Sequence, residues 1–175
     1  FKYCSELESL DLSSFDTNKV TNMESMFKEC GALETLKISN FKTPNVKDMN
    51  SMFENCFFLK SIDISNFDTK NVEDMSNMFE GCGFIEELKF TNINTEKVKD
   101  MSRMFKSCSN LNSLDLSKIN TNLVEDMSFM FSECTNLKSI DTSNFKTSNV
   151  KDMSYMFEGC NGLTSLDLTN FDTSS

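Results

Sequence analysis

The chain has 175 residues, 27 acidic against 17 basic, no histidine and a formal net charge of −10. The lack of histidine excludes Ser/His and Cys/His catalytic pairs, and a pI near 4.5, with no basic stripe bearing stacking aromatics, argues against a nucleic-acid binder. A hydrophobic fraction of 38% at this charge drifts toward disorder, so order must come from where the apolar residues stand.

They stand on a ladder. Cys4, Cys30, Cys56, Cys82, Cys108, Cys134 and Cys160 recur every 26 residues without insertion or deletion. Val20, Met23, Met26, Phe27, Leu7, Leu10, Leu12 and Phe15 each head a column with the same step, and the two methionine columns use all 12 methionines. Phe1 opens the Phe27 column, and Phe90 belongs to the Leu12 column. A fixed period of this length marks a stacked-coil protein, in which neighbouring coils share a core that none could build alone. The expectation is an α/β solenoid forming one repeat domain over residues 1–175, cut at both ends from a longer array.

Within the coil 7–32, the run Ser9, Leu10, Asp11, Leu12, Ser13 alternates polar and apolar. That predicts a short strand with Leu10 and Leu12 inward, paired in parallel with its copies. Thr17 and its equivalents follow, either bracing a turn or opening a longer helix, with the single proline, Pro44, at a first helical position. Asn22, Asp48, Asp74, Asp100, Asp126 and Asp152 then read as N-caps of a short helix. Met23, Met26, Phe27 and Cys30 carry spacings of three, four and seven and would lie on one face of it. Gly31, Gly83 and Asn161 would end that helix in a left-handed conformation.

One cysteine per coil and an odd total rule out complete disulfide pairing, though a single bridge between neighbours stays open. Without histidine or a Cys-x-x-Cys pair, no metal site is expected. The thiols read as small buried wedges and the methionines as core filling.

Two outward columns carry charge. The strand column reads Asp11, Lys37, Asp63, Lys89, Asp115, Asp141, Asp167; a second reads Thr21, Lys47, Glu73, Lys99, Glu125, Lys151. Alternating signs relieve repulsion and oppose slippage between stacked coils. The alternation fails at Asp115, Asp141 and Asp167, which are either solvated carboxylates or a surface for a cation or a basic partner. A flat ladder supplies calcium poorly. Glu87, beside Lys89, interrupts a column of small residues that includes Ser9, Thr35 and Ser61. The strand face, with Asp11, Lys37, Asp63, Glu87, Lys89, Asp115, Asp141 and Asp167, is the candidate partner-binding surface.

The run Leu-x-x-Leu-Asp-Leu-Ser-x-Phe-Asp-Thr-x-x-Val-x-x-Met-x-x-Met-Phe-x-x-Cys resembles the 26-residue repeat of bacterial surface proteins. That repeat occurs in mycoplasma lipoproteins and listerial wall-anchored proteins and is similar to BspA-like leucine-rich repeats. Thr142, Ile93 and Ile119 depart from it. The resemblance implies a leucine-rich-repeat-like, right-handed stack of about seven coils, each a short parallel strand plus a short helix. It also implies a non-catalytic cell-surface or extracellular module without cofactor. Its expected work is adhesion or protein–protein interaction with a host or neighbouring-cell protein, with self-association possible. A spacer projecting another domain is the alternative. Ice binding through the threonine column is a further reading, disfavoured because there is one threonine per coil, away from the strand.

Overall fold

The computed structural model describes residues 1–89 and 92–174, so Phe90 lies outside the described residues. Four strands form where the alternation predicts them: β1 (Ser9–Asp11), β2 (Thr35–Lys37), β3 (Ser61–Asp63) and β4 (Glu87–Lys89). β1 pairs in parallel with β2, placing Leu10 opposite Leu36, and β3 pairs with β4, placing Ile62 opposite Leu88. These side chains point into the core while their neighbours face water, as a period of two demands. No pairing joins β2 to β3 among the described residues, and the side chains of Lys37 and Asp63 do not explain the gap. Residues 113–115, 139–141 and 165–167 hold the equivalent place but form no strand.

The predicted helix does not form. Residues 23–30 and their copies are a chain of tight turns, and no helix occurs among the described residues. Two residues per coil take the left-handed conformation that interrupts a helix, such as Ser51 (φ 56°) and Asn55 (φ 58°). Turn bonds close within the coil from Met52 N–H to Met49 O (3.2 Å) and from Cys56 N–H to Phe53 O (3.0 Å). The alternate amides point to the next coil: Met49, Ser51, Phe53 and Asn55 donate to the carbonyls of Asp74, Ser76, Met78 and Glu80 at 2.7–3.0 Å. The same four rungs recur at each interface from Met23 to Glu158. Residues at i, i+3, i+4 and i+7 face inward on this turn ladder just as they would on a helix, which is why the periodicity misled. An isolated eight-residue helix is marginal in water, whereas stacked turns satisfy their amides on the neighbouring coil.

The asparagine and aspartate column corrects in the same way. Asp48 Oδ1 accepts the Asn50 amide at 2.9 Å, and Asp100 Oδ1 accepts that of Ser102 at 2.8 Å, so the side chains cap turns rather than helices. Their backbones join successive coils by parallel bridges from Asn22 to Asp152. Pro44 sits inside the turn closed by Val46 N–H to Thr43 O, where its fixed φ fits. The left-handed glycines are Gly81 and Gly159, ahead of the cysteine, not Gly31 and Gly83 after it.

The core is a stack of identical layers. Phe1, Phe27, Phe53, Phe79, Phe105, Phe131 and Phe157 lie face to face, with centroids 5.4–5.9 Å apart and rings tilted by 3–9°. Every methionine is buried in this core or packed against it. The threonine column is buried from Thr17 to Thr147 and braces the coils: Thr95 Oγ1 donates to Asn120 O (2.7 Å) and accepts the Asn120 amide (2.7 Å). It is neither a helix start nor a surface that could meet ice. Thr142, at an apolar position, donates to Asp167 O at 2.7 Å, so its buried hydroxyl is satisfied.

Candidate functional site

On the strand face the charged residues divide into two behaviours. Lys37 pairs with Asp11 at 3.1 Å, and Lys89 pairs with Glu87, its neighbour on the same strand, at 3.4 Å. The aspartates also work locally. Asp115 Oδ1 accepts the Ser117 amide, Asp141 that of Ser143 and Asp167 that of Thr169, each at 2.9 Å. Ser13 donates both hydroxyl and amide to Asp11; with Lys37 they lower its carboxyl pKa to about 2. Hydrogen bonds from the residue two ahead likewise hold Asp63, Asp115, Asp141 and Asp167 below the usual carboxylate range. The Asp115–Asp141–Asp167 ladder is thus a set of exposed turn-forming carboxylates. No group of three or more acidic or cysteine side chains is arranged to hold a metal ion among the described residues.

The cysteine ladder lies inside. Cys30 to Cys134 are buried, Cys160 is half-buried, Cys4 is exposed, and no thiol is in a disulfide. Each buried Sγ–H donates to the carbonyl of a phenylalanine one coil back, as Cys82 does to Phe53 O at 3.1 Å. Burial pushes the Cys82 and Cys134 thiols up to about 12. From Cys30 to Cys134 the column therefore packs and bonds, and burial holds these thiols protonated.

The most distinctive surface escaped the sequence reading. Phe57, Phe58 and Phe84 form a cluster with centroids 5.1–5.2 Å apart. They are 47%, 44% and 36% exposed. Phe58 and Phe84 each stand three residues before a strand, β3 and β4, so the cluster borders the strand face. Gly83 makes room for it: a Cβ there would lie 2.7 Å from Phe57 Cε2. Ser109, Thr135, Asn110 and Asn136 hold the equivalent places in later coils. The signal was available as an aromatic break in two otherwise small or polar columns.

A second surface stack was also missed. The column between the two methionines reads Ser25, Ser51, Asn77, Arg103, Phe129, Tyr155. Phe129 stacks on Tyr155 at 4.7 Å, and the Arg103 guanidinium lies 5.1 Å from the Phe129 centroid. Both aromatic residues hold φ 57°, a conformation bulky side chains rarely take.

A family model described as "Mycoplasma protein of unknown function, DUF285" matches residues 1–89 and 84–175. No curated protein matches the sequence. Among solved structures, the leucine-rich repeat protein of T. pallidum superposes with a TM-score of 0.55 at 20% identity, over 93% of this chain and 68% of that one. A leucine-rich repeat protein from Eubacterium ventriosum gives 0.49 at 18% identity, over 79% of this chain and 37% of that one. An internalin from Listeria monocytogenes gives 0.41 at 17% identity, over 85% and 40%. The likeness to the T. pallidum protein shows the fold: a leucine-rich-repeat solenoid.

Proposed function

The chain belongs to this DUF285 family of mycoplasma proteins, and from that premise we propose that it is a non-catalytic interaction module of a cell surface. It engages a protein of a host or neighbouring cell through its strand face. The observation that carries this reading is the exposed cluster of Phe57, Phe58 and Phe84 at the edge of that face. Exposed aromatic residues are the usual anchors of protein interfaces. The net charge of −10 favours a partner whose surface is basic around an apolar centre. Asp11, Lys37, Asp63, Glu87, Lys89, Asp115, Asp141 and Asp167 then form the polar rim. Adhesion and surface location rest on the resemblance to surface-protein repeats.

The test is capture of surface-labelled host-cell proteins by the immobilised chain. The variant Phe57→Ser, Phe58→Asn, Phe84→Asn carries residues found at these positions in other coils. It should lose at least about tenfold of the capture at unchanged thermal stability. Asp115→Lys, Asp141→Lys, Asp167→Lys probes the acidic column separately. Equal capture by both variants would refute the strand face. A spacer role is the second reading, favoured by turn rungs that continue through every coil from Met23 to Glu158. It predicts that deleting two whole coils shortens reach without changing binding per molecule.

A further inference from the structure

Where the strands turn toward the buried threonines, two separate grooves open along the stack. One column of residues supplies both: Asp16, Lys42 and Asp68 line the first, and Asn94, Asn120 and Lys146 the second. Asx turns use one side-chain oxygen of each acidic or amide residue. Asp16 Oδ1 accepts the Asn18 amide and Asp68 Oδ1 that of Lys70. Asn94 and Asn120 keep the same turns, accepting the amides of Glu96 and Asn122 at 2.9 Å. The exchange of Asp for Asn therefore leaves the backbone alone and replaces an outward acceptor by an outward N–H donor. Neither Nδ2 has an acceptor among the described residues.

Lys118 sharpens the contrast. Its column elsewhere holds Ser14 and then Asn40, Asn66, Asn92, Asn144 and Asn170, and each asparagine donates to a carbonyl of the preceding coil. Lys118 lacks that amide and offers an ammonium instead. Lys118 and Lys146 have no ion-pair partner among the described residues, and neither does Glu96 at the rim. Ile93 and Ile119, where other coils carry phenylalanine, form a small aliphatic floor. The space of about 490 Å³ falls within the range of small-molecule sites, roughly 300–1,000 Å³.

We propose that this second groove binds a carboxylate-bearing sugar unit. The two ammonium groups meet its carboxylate. The amides of Asn94 and Asn120, with Glu96, serve its hydroxyls, and its C–H face lies on Ile93 and Ile119. An acidic peptide would supply the carboxylate but place further negative charge against Glu96. The site is separate from the Phe57 cluster, and its test uses free sugar, so the two readings fail independently.

The experiment is an NMR titration of the side-chain amides of Asn94 and Asn120 with methyl glucuronide. Methyl glucoside and tetraglutamate are the comparison probes. Saturable shifts are expected with the glucuronide, at least about tenfold weaker with the uncharged glucoside and with the peptide. The variant Asn94→Asp, Lys118→Asn, Asn120→Asp uses only residues this chain carries at those columns elsewhere; read at the backbone amides of Glu96 and Asn122, which bond to the side chains at 94 and 120 and should shift with the glucuronide in the unsubstituted chain, it should abolish the shifts. Equal affinity for the glucoside, stronger binding of tetraglutamate, no saturable shift, or unchanged binding by the variant would each overturn the proposal.

Discussion

The two sides of each coil hold their neighbours differently. On the turn side, Met49, Ser51, Phe53 and Asn55 and their copies bond to the next coil at every interface from Met23 onward, and parallel bridges continue from Asn22 to Asp152. On the strand side, among the described residues, only β1–β2 and β3–β4 pair. The strands are present where Asp11, Lys37, Asp63 and Lys89 alternate in sign and absent where Asp115, Asp141 and Asp167 stack like charges. Like charges directly opposite one another destabilise parallel neighbours. Continuity in this solenoid therefore resides in a segment without regular secondary structure, while the strand side is left looser and free to vary.

The largest effect should come from the turn-side stack. Phe79→Ala removes a fully buried ring held between Phe53 and Phe105 and should cost about 3–5 kcal/mol in denaturant unfolding. Next, Ser51→Val places a β-branched residue at φ 56° and should cost about 1–2 kcal/mol. Ser61→Val on the exposed face of β3 should stay within about 0.5 kcal/mol. Equal costs at 51 and 61 would erase the distinction between the sides.

Acid should separate the sides as well. On the strand side, Asp11, Asp63, Asp115, Asp141 and Asp167 have folded pKa values below their unfolded ones. Their contribution is present above the unfolded pKa of about 3.9 and is lost as pH falls through the folded values. Burial instead raises Asp48 and Asp100 on the turn side, so protonation there relieves a penalty, while Asp152 in the exposed last coil is lowered by bonds from Ser154. Melting temperature should fall between about pH 4 and pH 2, with strand-side amides losing protection first. A small effect of opposite sign is a repair: Asp141→Lys restores alternation in the last coils and should add about 0.2–1 kcal/mol of cross-strand attraction. Part of that gain is offset by loss of the turn bond from Ser143. New protection of the amides at 139–141 would report it.

Stacking, register, the inward columns and the buried thiols were legible because each follows from a fixed step in sequence. The turn ladder was not, because Met23, Met26, Phe27 and Cys30 point inward from tight turns and from a helix alike. Left-handed backbone leaves only a partial mark in residue type: Asn55, Gly81 and Gly159 show it in the Glu29 column, whereas the Ser25 column holds no glycine and ends in Arg103, Phe129 and Tyr155. The surfaces were hidden for the opposite reason. Phe57, Phe58, Phe84 and Lys118 are exceptions to their columns, and a reading tuned to repetition passes over them. Ile93 and Ile119 stood out as departures, but the groove they floor depends on how the coils stack.

Amide hydrogen exchange tests the central claim most directly. Met75, Asn77 and Phe79 donate to Asp100, Ser102 and Met104 of the next coil, whereas the amides of Leu114 and Ile140 have no acceptor among the described residues. The turn-ladder amides should exchange at least about a hundredfold more slowly than those of Leu114 and Ile140. Comparable rates on the two sides, or slower exchange at Leu114 and Ile140, would contradict a solenoid held together by its turns.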